Sequence, residues 1–216
     1  MLNLVKNKMK FSMNAKIHIL AVAHGRYGEL KVFVQSIFNQ SSDDWFLTIC
    51  HDGPSDEFNV IMKDYAASAA NKIKFFHTES RFNDYGHTLR DLMLKEIQGE
   101  YVLLTNADNY FIPKSIEYLN NCITETNAEV ILFDMIHSHN RPGGRELPPY
   151  SFFETDFNRL SIDVSAAIVN ETLAGKVGFR DKTHDGDATY FEDILRQKKG
   201  KALKVAKISR VLFVHN

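Results

Sequence analysis

An α/β sandwich with a mostly parallel sheet is the fold that the sequence predicts, and three observations predict it. Short apolar runs alternate with helical patterns in β-α-β-α order as far as Met135. Turn signals punctuate that order, the clearest being Asp52-Gly53-Pro54. No internal repeat and no low-complexity linker divides the 216 residues, so a single domain is expected rather than two.

Each element has its own signal. Residues 17–23 (IHILAVA) form an uninterrupted apolar run, the pattern of a buried strand. In 30–38, Leu30, Val34, Ile37 and Phe38 recur at helical spacing. Residues 46–50 read as the next strand, 58–70 as an Ala-rich helix and 73–77 as a short strand. A helix over 88–96 stops before Gly99, and 101–105 returns to strand. Pro113 suits the first turn of a helix running to about Thr124, and 130–135 is strand again. The rhythm then breaks. Residues 137–161 hold Pro142, Gly143, Gly144, Pro148 and Pro149 and read as a loop-rich excursion. A helix over 187–198 and two strand-like pieces, 202–208 and 211–214, close the chain.

Composition removes several function classes. Lys and Arg number 26 against 27 Asp and Glu, so nothing marks a general nucleic-acid binder. Cys50 and Cys122 lie in apolar runs, which excludes a disulfide framework and suggests buried reduced thiols. The lead over 1–15 carries Lys6, Lys8 and Lys10 without the apolar core of a signal peptide, and reads as a flexible, solvated terminus. No run approaches a membrane span, and a cytoplasmic location is expected. The sequons at Asn39 and Asn170 are accordingly taken as chance. There is no G-x-x-x-x-G-K-[ST] or G-x-G-x-x-G loop, no G-x-S-x-G elbow, and no C-x-x-C or H-E-x-x-H metal pattern. His137 and His139 read as solvated loop histidines.

Ligands of open parallel sheets bind beyond the carboxyl ends of the strands. The residues found there are His24, Gly25 and Arg26; His51 and Asp52; Glu79, Ser80 and Arg81; and Asn106, Ala107, Asp108 and Asn109. Any one set is an ordinary turn, but together they point to a site in one crevice.

The stretch 16–57 resembles the opening of the GT-A glycosyltransferases, especially family 2: Ser36-Ile37-Phe38-Asn39-Gln40 matches an S-I-x-x-Q segment, and Asp52-Gly53-Pro54-Ser55-Asp56 a D-G-x-x-D turn. The stretch 81–113 resembles the family's run from an arginine through G-E-Y-[IV] into its D-x-D motif. The resemblance covers most of 16–216, densest over 16–125. It implies a three-layer α/β/α sandwich with a mostly parallel mixed sheet. Within it, 16–110 is the nucleotide-sugar-binding half and 111–216 the acceptor-binding half.

It also implies an enzyme that moves a sugar from a nucleoside diphosphate, UDP by preference, to a hydroxyl of a glycan or related acceptor, inverting the anomeric centre. By the same resemblance Ala23, His24, Arg26, Asp52, Arg81, Arg90, Asn106, Ala107 and Asp108 bind the donor, with Asp52 taking the nucleobase N–H. A divalent cation, Mn²⁺ or Mg²⁺, is implied at Asp108 and His215, because a cation neutralises a diphosphate leaving group. The first aspartate of D-x-D is replaced by Asn106, which removes one negative charge from that seat.

The family places its general base, an Asp or Glu, at the start of a late helix. Asp187 and Asp193 both qualify, with Glu192 beside them. Asp187 leaves room for about three helical turns before Gly200, and Asp193 does not, so Asp187 is preferred. Tyr110, Tyr150, Phe152 and Phe153 are the candidates for stacking on an acceptor sugar. Two rivals share the sheet: a catalytically silent binding module, which Asn106 favours, and a sugar nucleotidyltransferase, which would want a richer glycine loop than AHGRYG. The D-x-D-x-T match at Asp185 lacks the apolar strand that the phosphoaspartyl phosphatases require.

Overall fold

Alternating side chains on the inner strands divide the core into two. The computed structural model describes residues 15–69 and 71–216. In β1 (Ala15–Ala23), Ile17, Ile19 and Ala21 pack to one side and Leu20 to the other. In β4 (Gly99–Asn106), Tyr101 and Leu103 oppose Val102 and Leu104 in the same way. A sheet apolar on both faces must be covered on both faces.

One face is covered by α1 (Tyr27–Phe38), α2 (Asp56–Ser68) and α4 (Ser115–Thr126) through residues such as Phe33, Phe58 and Leu119. The other is covered by α3 (His87–Met93), α5 (Glu171–Ala174) and α6 (Gly186–Gln197) through Leu89, Leu173, Tyr190 and Ile194. Each such buried side chain contributes about 1.5–3 kcal/mol by leaving water.

The remaining strands are β2 (Trp45–His51), β3 (Ile73–His77), β5 (Tyr110–Phe111), β6 (Val130–His137), β7 (Ser151–Phe153), β8 (Ala167–Asn170) and β9 (Val205–His215). The sheet order is β3-β2-β1-β4-β8-β6-β9-β5, with β7 beside β6. The parallel pairings β1/β2, β1/β4, β2/β3 and β6/β9 each register five to eight residues. The antiparallel ones (β4/β8, β5/β9, β6/β7, β6/β8) register two or three. The sheet is therefore mixed and mostly parallel, as the sequence predicts.

Local chemistry sets the boundaries. Ser55 caps α2 by accepting from the Phe58 N–H at 3.1 Å, and Asp56 and Glu57 lie in the first turn, at the positive end of the helix dipole. The S-I-x-x-Q segment works as a staple. Gln40 donates to the Ser36 and Ile112 carbonyls and accepts from the Ile116 N–H, tying α1 to α4.

Two expectations are corrected. Pro113 lies in the turn before α4, which opens at Ser115, because Ser115 closes that turn with bonds to the Ile112 and Leu212 carbonyls. The two strand pieces at the end of the chain are one strand, β9, whose register on β6 shifts around Phe133, Asp134 and Met135. The lead falls outside the described residues except for Ala15, which opens β1.

Candidate active site

The carboxyl ends of β1, β2 and β4 open into one crevice of about 390 Å³. Their loops are bonded to one another: the Asp52 N–H donates to the Ala23 carbonyl and the Ala107 N–H to the Val22 carbonyl, both at 2.8 Å. Ala23, His24, Arg26, Asp52, Arg81, Asn106, Ala107 and Asp108 all line this crevice.

Asp52 is buried and holds the next loop in place. Its two oxygens accept from the Phe82 and Asn83 N–H groups at 2.8 and 3.0 Å, and Arg81 lies 3.8 Å away. Asn83 and Tyr85 in that loop, and Gly86 at its end, complete the wall; sequence reasoning missed all three. Gly86 carries the signal that could have found them. It has φ +79°, and a Cβ there would stand 2.8 Å from Val22 Cγ2, so the loop closes on β1 only with glycine.

Arg90 is corrected. Expected to meet the donor, its guanidinium is instead fully buried behind the crevice. It donates to Asn106 Oδ1 at 2.6 Å and to the Tyr85 carbonyl at 2.7 Å. It therefore fixes the asparagine that replaces the first motif aspartate, and the carboxylates of Asp187, Asp163 and Asp84 support its buried charge.

Asp108 splits its oxygens. Oδ2 accepts from Arg26 at 2.9 Å, while Oδ1 is buried with no hydrogen-bond partner among the described residues. Burial raises its pKa, and Arg26 and His215 pull the other way. His215, at the end of β9, places Nε2 3.7 Å from Asp163 Oδ2, while its buried Nδ1 also lacks a partner. Two orphaned polar atoms, a carboxylate oxygen and an imidazole nitrogen, are what a divalent cation would satisfy, so the residues present fit the implied metal.

Asp187 stands in the first turn of α6, with Oδ2 accepting from the Val164 N–H at 3.3 Å and Oδ1 4.0 Å from His87 Nδ1. Desolvation pushes its pKa up to about 6 against the pull of Arg90, and Asp163 adds to the rise. Gly186 is required before it, since a Cβ would fall 2.3 Å from His87 Nε2. Asp193 is placed elsewhere. It binds Arg180 at 2.6 Å and also pairs with Arg196, beside an open depression whose lining shares no residue with the crevice. Glu192 pairs with Arg159.

Two further sets of residues differ from the sequence reading. His137 and His139 are not simply solvated loop residues: with His215 they form a cluster whose ligand atoms lie within 4.8 Å of one another. Their spacing of two gave no hint, because the third member is far along the chain; His137 ends β6 and His139 follows it. Of the stacking candidates, Tyr110, Tyr150 and Phe152 are exposed, whereas Phe153 is buried under Arg145.

A crevice at the parallel strand ends, with the acidic motif after β4 in its lining, and a separate carboxyl at the start of a late helix mark a GT-A-type fold. The family model for Glycosyl transferase family 2 matches residues 19–174, and the chain belongs to that family. The fold is similar to S. aureus TarS 1-349 (TM-score 0.73, 16% identity, 93% of this chain and 60% of that one). A structure of TarS 1-349 in complex with UDP-GlcNAc matches at TM-score 0.72 and 17% identity, over 92% of this chain and 58% of that one. Mannosyltransferase PcManGT from Pyrobaculum calidifontis, in complex with GDP-Man and Mn²⁺, matches at TM-score 0.69 and 10% identity, over 94% and 57%. An uncharacterized glycosyltransferase from Rickettsia bellii (strain RML369-C) is 20% identical over 114 residues, which is 53% of this chain and 16% of that protein. The chain thus spans about three fifths of the TarS structure and a small part of the Rickettsia protein. No helix among the described residues is long and apolar enough to cross a membrane.

Proposed function

We propose that the chain transfers a sugar from a nucleoside diphosphate, UDP by preference, to a hydroxyl of a glycan or related acceptor, with inversion. The observation that carries this reading is the pairing of Asp108, whose Oδ1 is buried and unpartnered, with Asp187, whose pKa stands at about 6. The first suits a divalent cation that accompanies the anionic diphosphate, and the second suits proton removal near neutral pH.

In this reading Asp52 and His24 hold the base and ribose, and Arg81 meets the diphosphate. Asp108 and His215 would hold a divalent cation, Mn²⁺ or Mg²⁺, which when bound supplies neutralisation of the diphosphate leaving group. Asp187 takes the acceptor hydroxyl proton onto a carboxylate oxygen as the acceptor oxygen attacks the anomeric carbon. The Val164 N–H orients that carboxylate, and the buried Arg90 charge acts on it. The buried, unpaired thiols of Cys50 and Cys122 fit a reducing, cytoplasmic compartment.

Asn106 gives a silent binding module some support, and one experiment separates the two. Purified protein is mixed with UDP-, GDP- and dTDP-sugars and Mn²⁺ or Mg²⁺, following thermal shift and nucleotide release. Slow donor hydrolysis is expected, with Asp108→Ala losing the cation-dependent shift. Nucleotide binding without turnover across the panel favours the silent module.

A further inference from the structure

The ends of β6 and β9 hold a feature that the donor site does not use in full. His137 and His215 are register partners on these parallel strands, so their rings leave the sheet on the same side. They stack 4.4 Å apart at 18°. His139 follows two residues after His137, its ring 5.0 Å from one and 5.2 Å from the other. The ligand atoms of all three lie within 4.8 Å of one another.

Nitrogens bound to a first-row ion at about 2.0–2.1 Å stand about 3–4 Å apart. Small side-chain rotations therefore bring the three onto one ion, and His139, which is exposed, is free to make the largest. A second observation points to a ligand rather than a stack of rings. His215 Nδ1 is buried without a hydrogen-bond partner among the described residues, while Nε2 faces Asp163 at 3.7 Å. A carboxylate beside one ring nitrogen, with the other nitrogen free, is the arrangement that orients a metal-binding histidine. The His139 N–H donates to His137 Nδ1 at 3.1 Å. Ligation through either His137 nitrogen gives up that bond, because an Nε2 ligand must carry its proton on Nδ1.

We infer that His137, His139 and His215 form a three-imidazole seat for a first-row transition cation, one that selects borderline ions such as Co²⁺, Ni²⁺ or Zn²⁺ over Mg²⁺. Three neutral nitrogens suit such ions, and Mg²⁺ demands oxygen. Asp108, whose Oδ1 is also unpartnered, remains the carboxylate ligand of the same ion, and the imidazoles make up for the charge-bearing ligand that Asn106 removes. The inference deepens the proposed function, on which it rests for the ion's role in transfer but not for its binding.

The test is Co²⁺ titration of tag-free, chelator-stripped protein, read by calorimetry and by the visible ligand-field band. Mg²⁺ is added as competitor, and sugar-nucleotide turnover is measured on the same preparations. His139→Asn changes an exposed side chain and leaves the fold intact, while His137→Gln probes the strand end, with its thermal midpoint checked. One Co²⁺ per chain is expected, not displaced by equimolar Mg²⁺, with affinity falling about ten-fold or more in both variants. Unchanged Co²⁺ affinity in either variant overturns the seat, as does displacement by equimolar Mg²⁺. Histidine-dependent Co²⁺ binding without turnover of any donor would instead contradict the proposed function and leave the seat standing.

Discussion

Asp187 meets two opposed demands at the scale of a single residue. A base must be ionised at working pH, yet must hold a proton well enough to accept one from a hydroxyl. Its surroundings set that balance: desolvation raises the pKa, Arg90 lowers it, and it settles at about 6. An ionised base is needed for transfer, so kcat/KM should rise with pH through an acid limb near pH 6. A pH–rate profile checks this, and a limb near pH 4 would mean that another carboxyl limits the rate. Asp187 could be chosen in the sequence because its spacing to Gly200 leaves room for a helix. Its neighbours Asp163 and Val164, consecutive in the chain, and His87 could not, since they come from two distant segments that only folding brings together.

At the scale of elements, the loops that end β1, β2 and β4 were legible because polar residues follow apolar runs directly. Helix α3 was legible as a helix but not in its use. Arg90 on it reads as a surface or donor-facing cation, and only the packing against Asn106 and Tyr85 shows it as an internal brace. Removing one member of a buried charge network leaves the others uncompensated. Arg90→Leu is therefore expected to cost about 3 kcal/mol in urea denaturation. It should also move the acid limb of the rate profile upward, because the cation that lowers the Asp187 pKa is lost. A stability loss with an unmoved limb would show Arg90 to be structural only. The single strand β9 was read as two pieces for a related reason: Ser209-Arg210 interrupts the apolar pattern, and the register shift that absorbs it is a property of the pairing with β6.

For the whole molecule, the formal charge of −1 means that cationic help for a diphosphate is local. Arg26 and Arg81 line the crevice, and Arg26 is already paired with Asp108. Stability also has a molecular pH dependence. His18, His51, His87, His137 and His139 are all held below the ordinary histidine range, chiefly by burial, with His18 at about 3 and His87 at about 4. Below pH 6.5 the unfolded chain protonates them while the folded chain does not, so acidification favours unfolding. Asp108 and Asp187 act in the opposite sense, the folded chain keeping protons that the unfolded chain has released, but they are fewer. The urea midpoint should therefore fall between pH 6.5 and 4, each of the buried His18 and His87 contributing up to about 1.4 kcal/mol per pH unit. A midpoint that rises over that window would contradict this.

The most direct test of the central claim compares Asp187→Asn with Asp193→Asn. Both are assayed for nucleotide-sugar binding and for single-turnover transfer or hydrolysis. Asp187→Asn is expected to bind the donor like the unaltered chain but to lose about 10²–10⁴ in rate, while Asp193→Asn stays near normal. Normal transfer by Asp187→Asn, with loss in Asp193→Asn, would contradict that claim.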